Sequence, residues 1–107
     1  MLNKNESVMK IERKETGSDV TFILLDDLLS PHINQFSDEM NQFVKNDTRH
    51  AILDFSFVRK IDSMAIAAVI RLKNALTERG RSLHLINPNE TVLRVLELSG
   101  LEKYLLD

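Results

Sequence analysis

Cysteine is missing from the sequence, so neither a disulfide framework nor a thiolate metal site is available, and the chain suits a reducing compartment such as the cytoplasm. Glycine is scarce: the three present, at 17, 80 and 100, lie too far apart to form a phosphate-cradling loop. No charge sign dominates either. Fourteen Lys and Arg against sixteen Asp and Glu leave a formal net charge of -2, whereas nucleic-acid-binding domains display a cationic excess, so direct nucleic-acid binding is not expected. Long apolar runs are also lacking. The longest, MAIAAVI at Met64 to Ile70, falls far short of the roughly 20 residues that cross a bilayer. The polar opening MLNKNESVMK has no apolar core of the kind a signal peptide carries, and no direct membrane insertion is expected.

What is present points to one α/β domain over residues 1–107, because a hydrophobic fraction of 43% in 107 residues supplies one core and not two. Partial alternation over residues 8–14 and a β-branched apolar run over 20–25, separated by ETGSD, predict a hairpin. Ser30-Pro31 reads as a capping hydroxyl followed by a proline at the first helical position. Ile33, Phe36, Met40, Phe43 and Val44 then recur at helical spacing through about Lys45. AILDF at 51–55 is a strand, and a helix from Ser63 to about Glu78 is stopped by Gly80. SLHLI at 82–86 is another strand. Asn87-Pro88-Asn89-Glu90 reads as cap, first-position proline and early acid for a helix through Leu98, ended by Gly100 with Leu101 folding back on the last turn. EKYLLD either forms a short helix or packs as an apolar tail. The order predicts a mixed sheet of four to five strands with about four helices, the crossovers making parallel neighbours.

An enzyme needs convergent polar groups, and His32, His50 and His84 have no motif around them. Ser63 lacks the G-x-S-x-G elbow of a hydrolase. A minor hydrolase activity at Asp62-Ser63 remains the enzyme-class alternative. The adjacent carboxylates Asp26 and Asp27 offer too few oxygens for calcium. No enzyme activity, metal or cofactor is expected.

Asp62 and Ser63 stand where a loop becomes a helix, at the positive end of its dipole and among its free N–H groups. Two readings fit: one residue simply caps the helix, or one caps while the other presents a hydroxyl for modification. Along this helix Ala65, Ala68, Val69, Leu72 and Leu76 form a core stripe, widened by Ile66 and Ile70. Ala67, Arg71, Asn74 and Glu78 lie opposite, and Met64 with Ala67 comes to the solvent side near Ser63.

The run from Ala51 to Leu106 resembles the STAS domain of bacterial anti-sigma factor antagonists. That pattern is an apolar strand, a short connection, Asp-Ser-Ser-Gly or Asp-Ser-Thr-Gly, a helix, and a later Ser-Gly-Leu. The corresponding residues are Leu53 and Asp54, then Ile61, Asp62 and Ser63, then Pro88, Val92, Arg94, Leu96 and Ser99-Gly100-Leu101. Met64 and Ala65 replace the small hydroxyl residue and the glycine, and Asp26-Asp27-Leu28-Leu29 stands where Gly-Glu-Leu-Asp is common.

The resemblance implies that Ser63 is phosphorylated by an anti-sigma factor that is also a serine kinase. The unmodified antagonist binds that partner, and a PP2C-type phosphatase restores it. Asp62 is then the cap and orienting neighbour of Ser63, and Met64, Ala67 and Arg71 belong to the docking face. By their charge Arg59 and Lys60 either hold the phosphate or steer an acidic partner, or are simply two solvated charges on a loop, and Asp26 and Asp27 lie at a strand end where partners are expected. A constitutive scaffold or a transporter-associated subunit is the alternative within the same family.

Overall fold

The computed structural model describes residues 8–106. Strands β1 (Ile11–Glu15) and β2 (Asp19–Leu24) form the predicted hairpin. Its turn is closed by Asp19 N–H donating to Thr16 Oγ1 at 3.0 Å and Thr16 N–H donating to Asp19 O at 2.9 Å. β1 starts at Ile11, later than the alternation suggested, because the chain before it is held by side chains: the Gln35 amide brackets Met9, accepting from its N–H at 2.7 Å and donating to its carbonyl at 2.6 Å.

Helix α1 (Ile33–Asn46) leads to β3 (His50–Asp54), α2 (Ser63–Thr77) to β4 (Leu83–Ile86), and α3 (Glu90–Leu98) with α4 (Glu102–Leu106) closes the chain. The sheet order is β1-β2-β3-β4, antiparallel at the hairpin and parallel from β2 to β4. Four strands and four helices thus realise the expected mixed α/β architecture.

Alternation along the strands sends Val20, Phe22 and Leu24 of β2, Ala51 and Leu53 of β3, and Leu83 and Leu85 of β4 into one core, while His84 and Ile86 stay exposed on the opposite face. The helices cover the inner face. Phe36, Met40 and Phe43 of α1 meet Ala65, Val69, Leu72 and Leu76 of α2 there, joined by Val92, Leu96 and Leu105. The buried residues of α2 are the five of the predicted stripe, with Ile66 and Ile70 half-buried at its border. Gly80 and Gly100 both have φ +72, and each follows a helix as the left-handed residue that lets the next N–H return to the last turn. Arg81 N–H reaches Leu76 O, and Leu101 N–H reaches Leu96 O, both at 2.9 Å.

Two predicted caps fail for tertiary reasons. Ser30 lies inside a 3-10 turn (Ser30–His32) preceding α1 and makes no cap bond. Its hydroxyl donates instead to a carboxylate 32 positions along the chain, a charge-assisted bond stronger than a neutral cap. Asn87 is not the cap of α3; Asn89 is, with Oδ1 accepting from Val92 N–H at 2.8 Å. Asn87 takes φ 58, a left-handed conformation that asparagine tolerates, and its amide donates to Asp54 Oδ1 and Ser56 Oγ at 3.2 and 3.1 Å.

Sequence patterns gave no sign of Arg81, which is 9% exposed. The last carbonyls of a helix have no partner of their own. Arg81 supplies one, donating from Nη1 to Val44 O at 2.8 Å and from Nε to Arg49 O at 2.8 Å, with its guanidinium 5.0 Å from the centre of the Phe43 ring. Desolvation pushes its pKa down, with the Asp47 charge acting in the opposite direction, yet an arginine stays charged at any working pH. Arg81→Met should cost about 2 to 3 kcal/mol, because buried acceptors lose their donors. Urea unfolding would show it as a lower midpoint, with Arg81→Lys recovering part; an unchanged midpoint for Arg81→Met contradicts the capping role.

Candidate functional site

Because β2, β3 and β4 run parallel, the loops leaving their C-terminal ends gather at one end of the sheet, where ligands and partners of open α/β sheets usually bind. The loop after β2 and the loop after β3 are stitched together there. Leu28 and Ile61 form an isolated parallel bridge, and Leu28 N–H donates to Lys60 O at 3.2 Å. Asp27 Oδ1 accepts from the N–H groups of Arg59 and Lys60 at 2.7 and 3.1 Å. Asp26 Oδ2 accepts from Lys10 N–H at 2.9 Å, ahead of the hairpin.

This stitching delivers Asp62 to the start of α2. Asp62 is the N-cap, extended at φ -118, and its Oδ1 accepts from Ala65 N–H at 2.9 Å. Its other oxygen, Oδ2, accepts both the N–H and the hydroxyl of Ser30, each at 2.8 Å. Burial pushes the Asp62 carboxyl up, but the Ala65 N–H and the two Ser30 donors outweigh it and hold the group below the usual carboxylate range. Asp62 therefore caps the helix and faces Ser30 rather than Ser63.

Ser63 is the first residue of α2 and is exposed, and its hydroxyl makes no hydrogen bond to any of the described residues. Met64 beside it is 54% exposed. Ala67 is half-buried and Arg71 is exposed one turn further on. Arg59 and Lys60 are exposed on the preceding loop, and neither side chain makes an ion pair among the described residues. The structure thus brings Arg59, Lys60, Asp62, Ser63, Met64, Ala67 and Arg71 onto one loop and one helix. Asp27 lies beneath the loop and Asp26 lies toward the hairpin.

Among the described residues no histidine hydrogen-bonds Ser63. His32 Nδ1 lies 2.8 Å from Asp27 O, and His50 Nδ1 accepts from Ser82 N–H at 3.0 Å. Among the described residues there is no cluster of metal-ligating side chains, and no helix is long and apolar enough to cross a membrane. Two residues here were missed in the sequence. One is Ser30, whose partner is set by tertiary contact alone. The other is Phe57, which at 58% exposure is the outlier among phenylalanines otherwise buried in the core.

The chain thus folds as a mixed sheet with helices over one face, and its second helix, capped by Asp62, opens on an exposed serine. The family model of the STAS domain matches residues 10–106, and the chain belongs to that family. Among solved structures, a candidate anti-sigma factor antagonist of Thermotoga maritima superposes with TM-score 0.82 at 23% identity, over 90% of this chain and 83% of that one. The Bacillus cell-fate determinant SpoIIAA in its phosphorylated form gives TM-score 0.71 at 22% identity, over 94% and 90%. The murine anion transporter Slc26a9 gives TM-score 0.72 at 22% identity, over 84% of this chain and 15% of that one. Comparison with curated protein sequences gives no match.

The Asp62 cap has a pH signature. A carboxyl held below its unfolded pKa adds stability that is complete above the unfolded value of about 3.9 and is lost as the pH falls through the folded one. Urea titrations of the wild type and of Asp62→Asn, which keeps a capping oxygen, should show the wild type's advantage at neutral pH fading below about pH 4. Asp62→Ala should cost about 1 to 2 kcal/mol at neutral pH. A wild-type advantage independent of pH would place the effect elsewhere.

Proposed function

We propose that this STAS domain is a non-enzymatic anti-sigma factor antagonist acting in the cytoplasm. It binds an anti-sigma factor with serine kinase activity while Ser63 is unmodified and releases it once Ser63 is phosphorylated. The observation that carries this reading is the exposed Ser63 hydroxyl at the first position of α2, beside the exposed Met64. The γ-phosphoryl of ATP passes to Ser63 Oγ, ADP leaves, and the hydroxyl proton goes to a base of the kinase. A PP2C-type phosphatase hydrolyses the ester and resets the domain.

The physics favours a switch that leaves the fold alone. A phosphoserine adds ~1.5 to 2 negative charges at neutral pH, and the first turn of a helix is where the dipole and the free N–H groups accept an anion. The Asp62 carboxylate points at Ser30 and Ala65, so it does not occupy the space over Ser63. The effect falls on the partner surface, because a hydrated dianion beside Met64 and Ala67 must be desolvated before an apolar contact can close over them. The superposition on phosphorylated SpoIIAA supports this reading; the superposition on Slc26a9 supports a second one, a domain that binds a transporter constitutively.

Incubation with ATP and the anti-sigma factor kinase of the same genome, followed by mass spectrometry, should place one phosphate on Ser63 and none on Ser63→Ala. Ser63→Asp should bind that kinase about tenfold or more weakly than the wild type. It should also be slightly more stable, by about 0.3 to 1 kcal/mol, as an acid in the first turn. Absence of phosphate on Ser63, with equal binding by both variants, favours the constitutive reading.

A further inference from the structure

We infer that Phe57 is an anchor of the partner interface, and that with Arg59 and Lys60 it receives a segment of the anti-sigma factor carrying a carboxylate next to an apolar pocket. This inference rests on the partner-switching reading and specifies the partner's chemistry. Phe57 adds nothing to the core, yet it sits between Phe55 and Val58, each 1% exposed, which pin the chain on both sides of it. The intervening turn is closed by Val58 N–H donating to Phe55 O at 3.0 Å. Asp54 Oδ1 accepts from Ser56 N–H at 2.9 Å and from its hydroxyl at 2.6 Å. The Asn87 amide braces that same pair from the loop after β4.

An aromatic side chain held out on a fixed loop has the features of a binding hot spot. It offers a large apolar area, and the backbone that carries it has little freedom left to lose when it is covered. Arg59 and Lys60 follow on the same loop, fixed by Asp27 at their amides and by Asn89, which donates from Nδ2 to Arg59 O at 3.3 Å. They border an open depression of about 430 Å³ shared with Asp27, Asn89 and Thr91. Among the residues lining the depression two cations stand against one carboxylate, so it favours an acidic partner segment. The next helix begins with Ser63 and Met64. One partner segment can therefore span the anchor and the switch, and a phosphate on Ser63 repels the carboxylate that the cations attract.

Calorimetry and surface-binding kinetics with the anti-sigma factor kinase of the same genome test this, using the wild type, Phe57→Ala, Arg59→Ala/Lys60→Ala and Ser63→Asp. Melting curves verify that each variant is folded. Phe57→Ala should bind about 30-fold more weakly, mainly through faster dissociation. The double variant should associate more slowly and lose most of the wild type's salt dependence. Binding by Phe57→Ala within about twofold of the wild type, while Ser63→Asp binding collapses, overturns the anchor and leaves the switch standing. No binding by the wild type itself overturns the partner-switching reading and the anchor with it. Sedimentation showing a homodimer that Phe57→Ala dissociates, with kinase binding unaffected, assigns this surface to a second copy and also overturns the anchor.

Discussion

The Asp62 carboxylate fixes the geometry on which this end of the molecule depends. One oxygen receives the Ala65 N–H and so starts α2. The other receives both donors of Ser30, the residue that opens the turn into α1. A single charged group thus joins the beginnings of the two helices that pack together over the sheet. Charge-assisted bonds of this kind are short and strong, and they direct the carboxylate away from Ser63. The serine is left at the positive end of a helix whose opposite face is buried, so its surroundings are set by rigid structure and its hydroxyl by none of it.

The loops repeat the same device. Asp27 holds two consecutive amides of the Arg59-Lys60 step, Asp54 holds Ser56, and Asn87 and Asn89 reach across from the loop after β4. Short polar side chains satisfy backbone groups that no strand or helix pairs. In consequence the exposed side chains of this end, Phe57, Arg59, Lys60 and Met64, are mounted on backbone with little freedom. A partner meeting such a surface orders few groups on binding, and its affinity can be altered by a charge placed among them without any movement of the domain.

Much of this was legible in the sequence where the signal is local. The stripe from Ala65 to Leu76 is a 3.6-residue period, and of the two cap-competent residues before it Asp62 takes the cap. Gly80 and Gly100 ended their helices in the left-handed conformation that glycine adopts most easily. The readings that failed depend on which groups meet in space. Ser30 and Asn87 were each plausible caps by type and position, but a carboxylate far along the chain took one, and the Asp54-Ser56 turn took the other. The role of Arg81 left no mark in the sequence, since nothing local shows that the end of α1 arrives beside it. Asp26 and Asp27 looked alike as adjacent acids, and only the folded loops give them different amides to hold.

A phosphate on Ser63 should alter what can dock while the domain beneath stays as it is. Amide NMR spectra of the unmodified chain and the Ser63-phosphorylated chain, recorded under the same conditions, address it directly. Shifts should be confined to the first turn of α2 and the adjoining loops, residues 26–30 and 55–62, with core amides of β2, β3 and α1 in place. Changes spread through the sheet and α1 would contradict it, since the charge would then be acting by remodelling the fold.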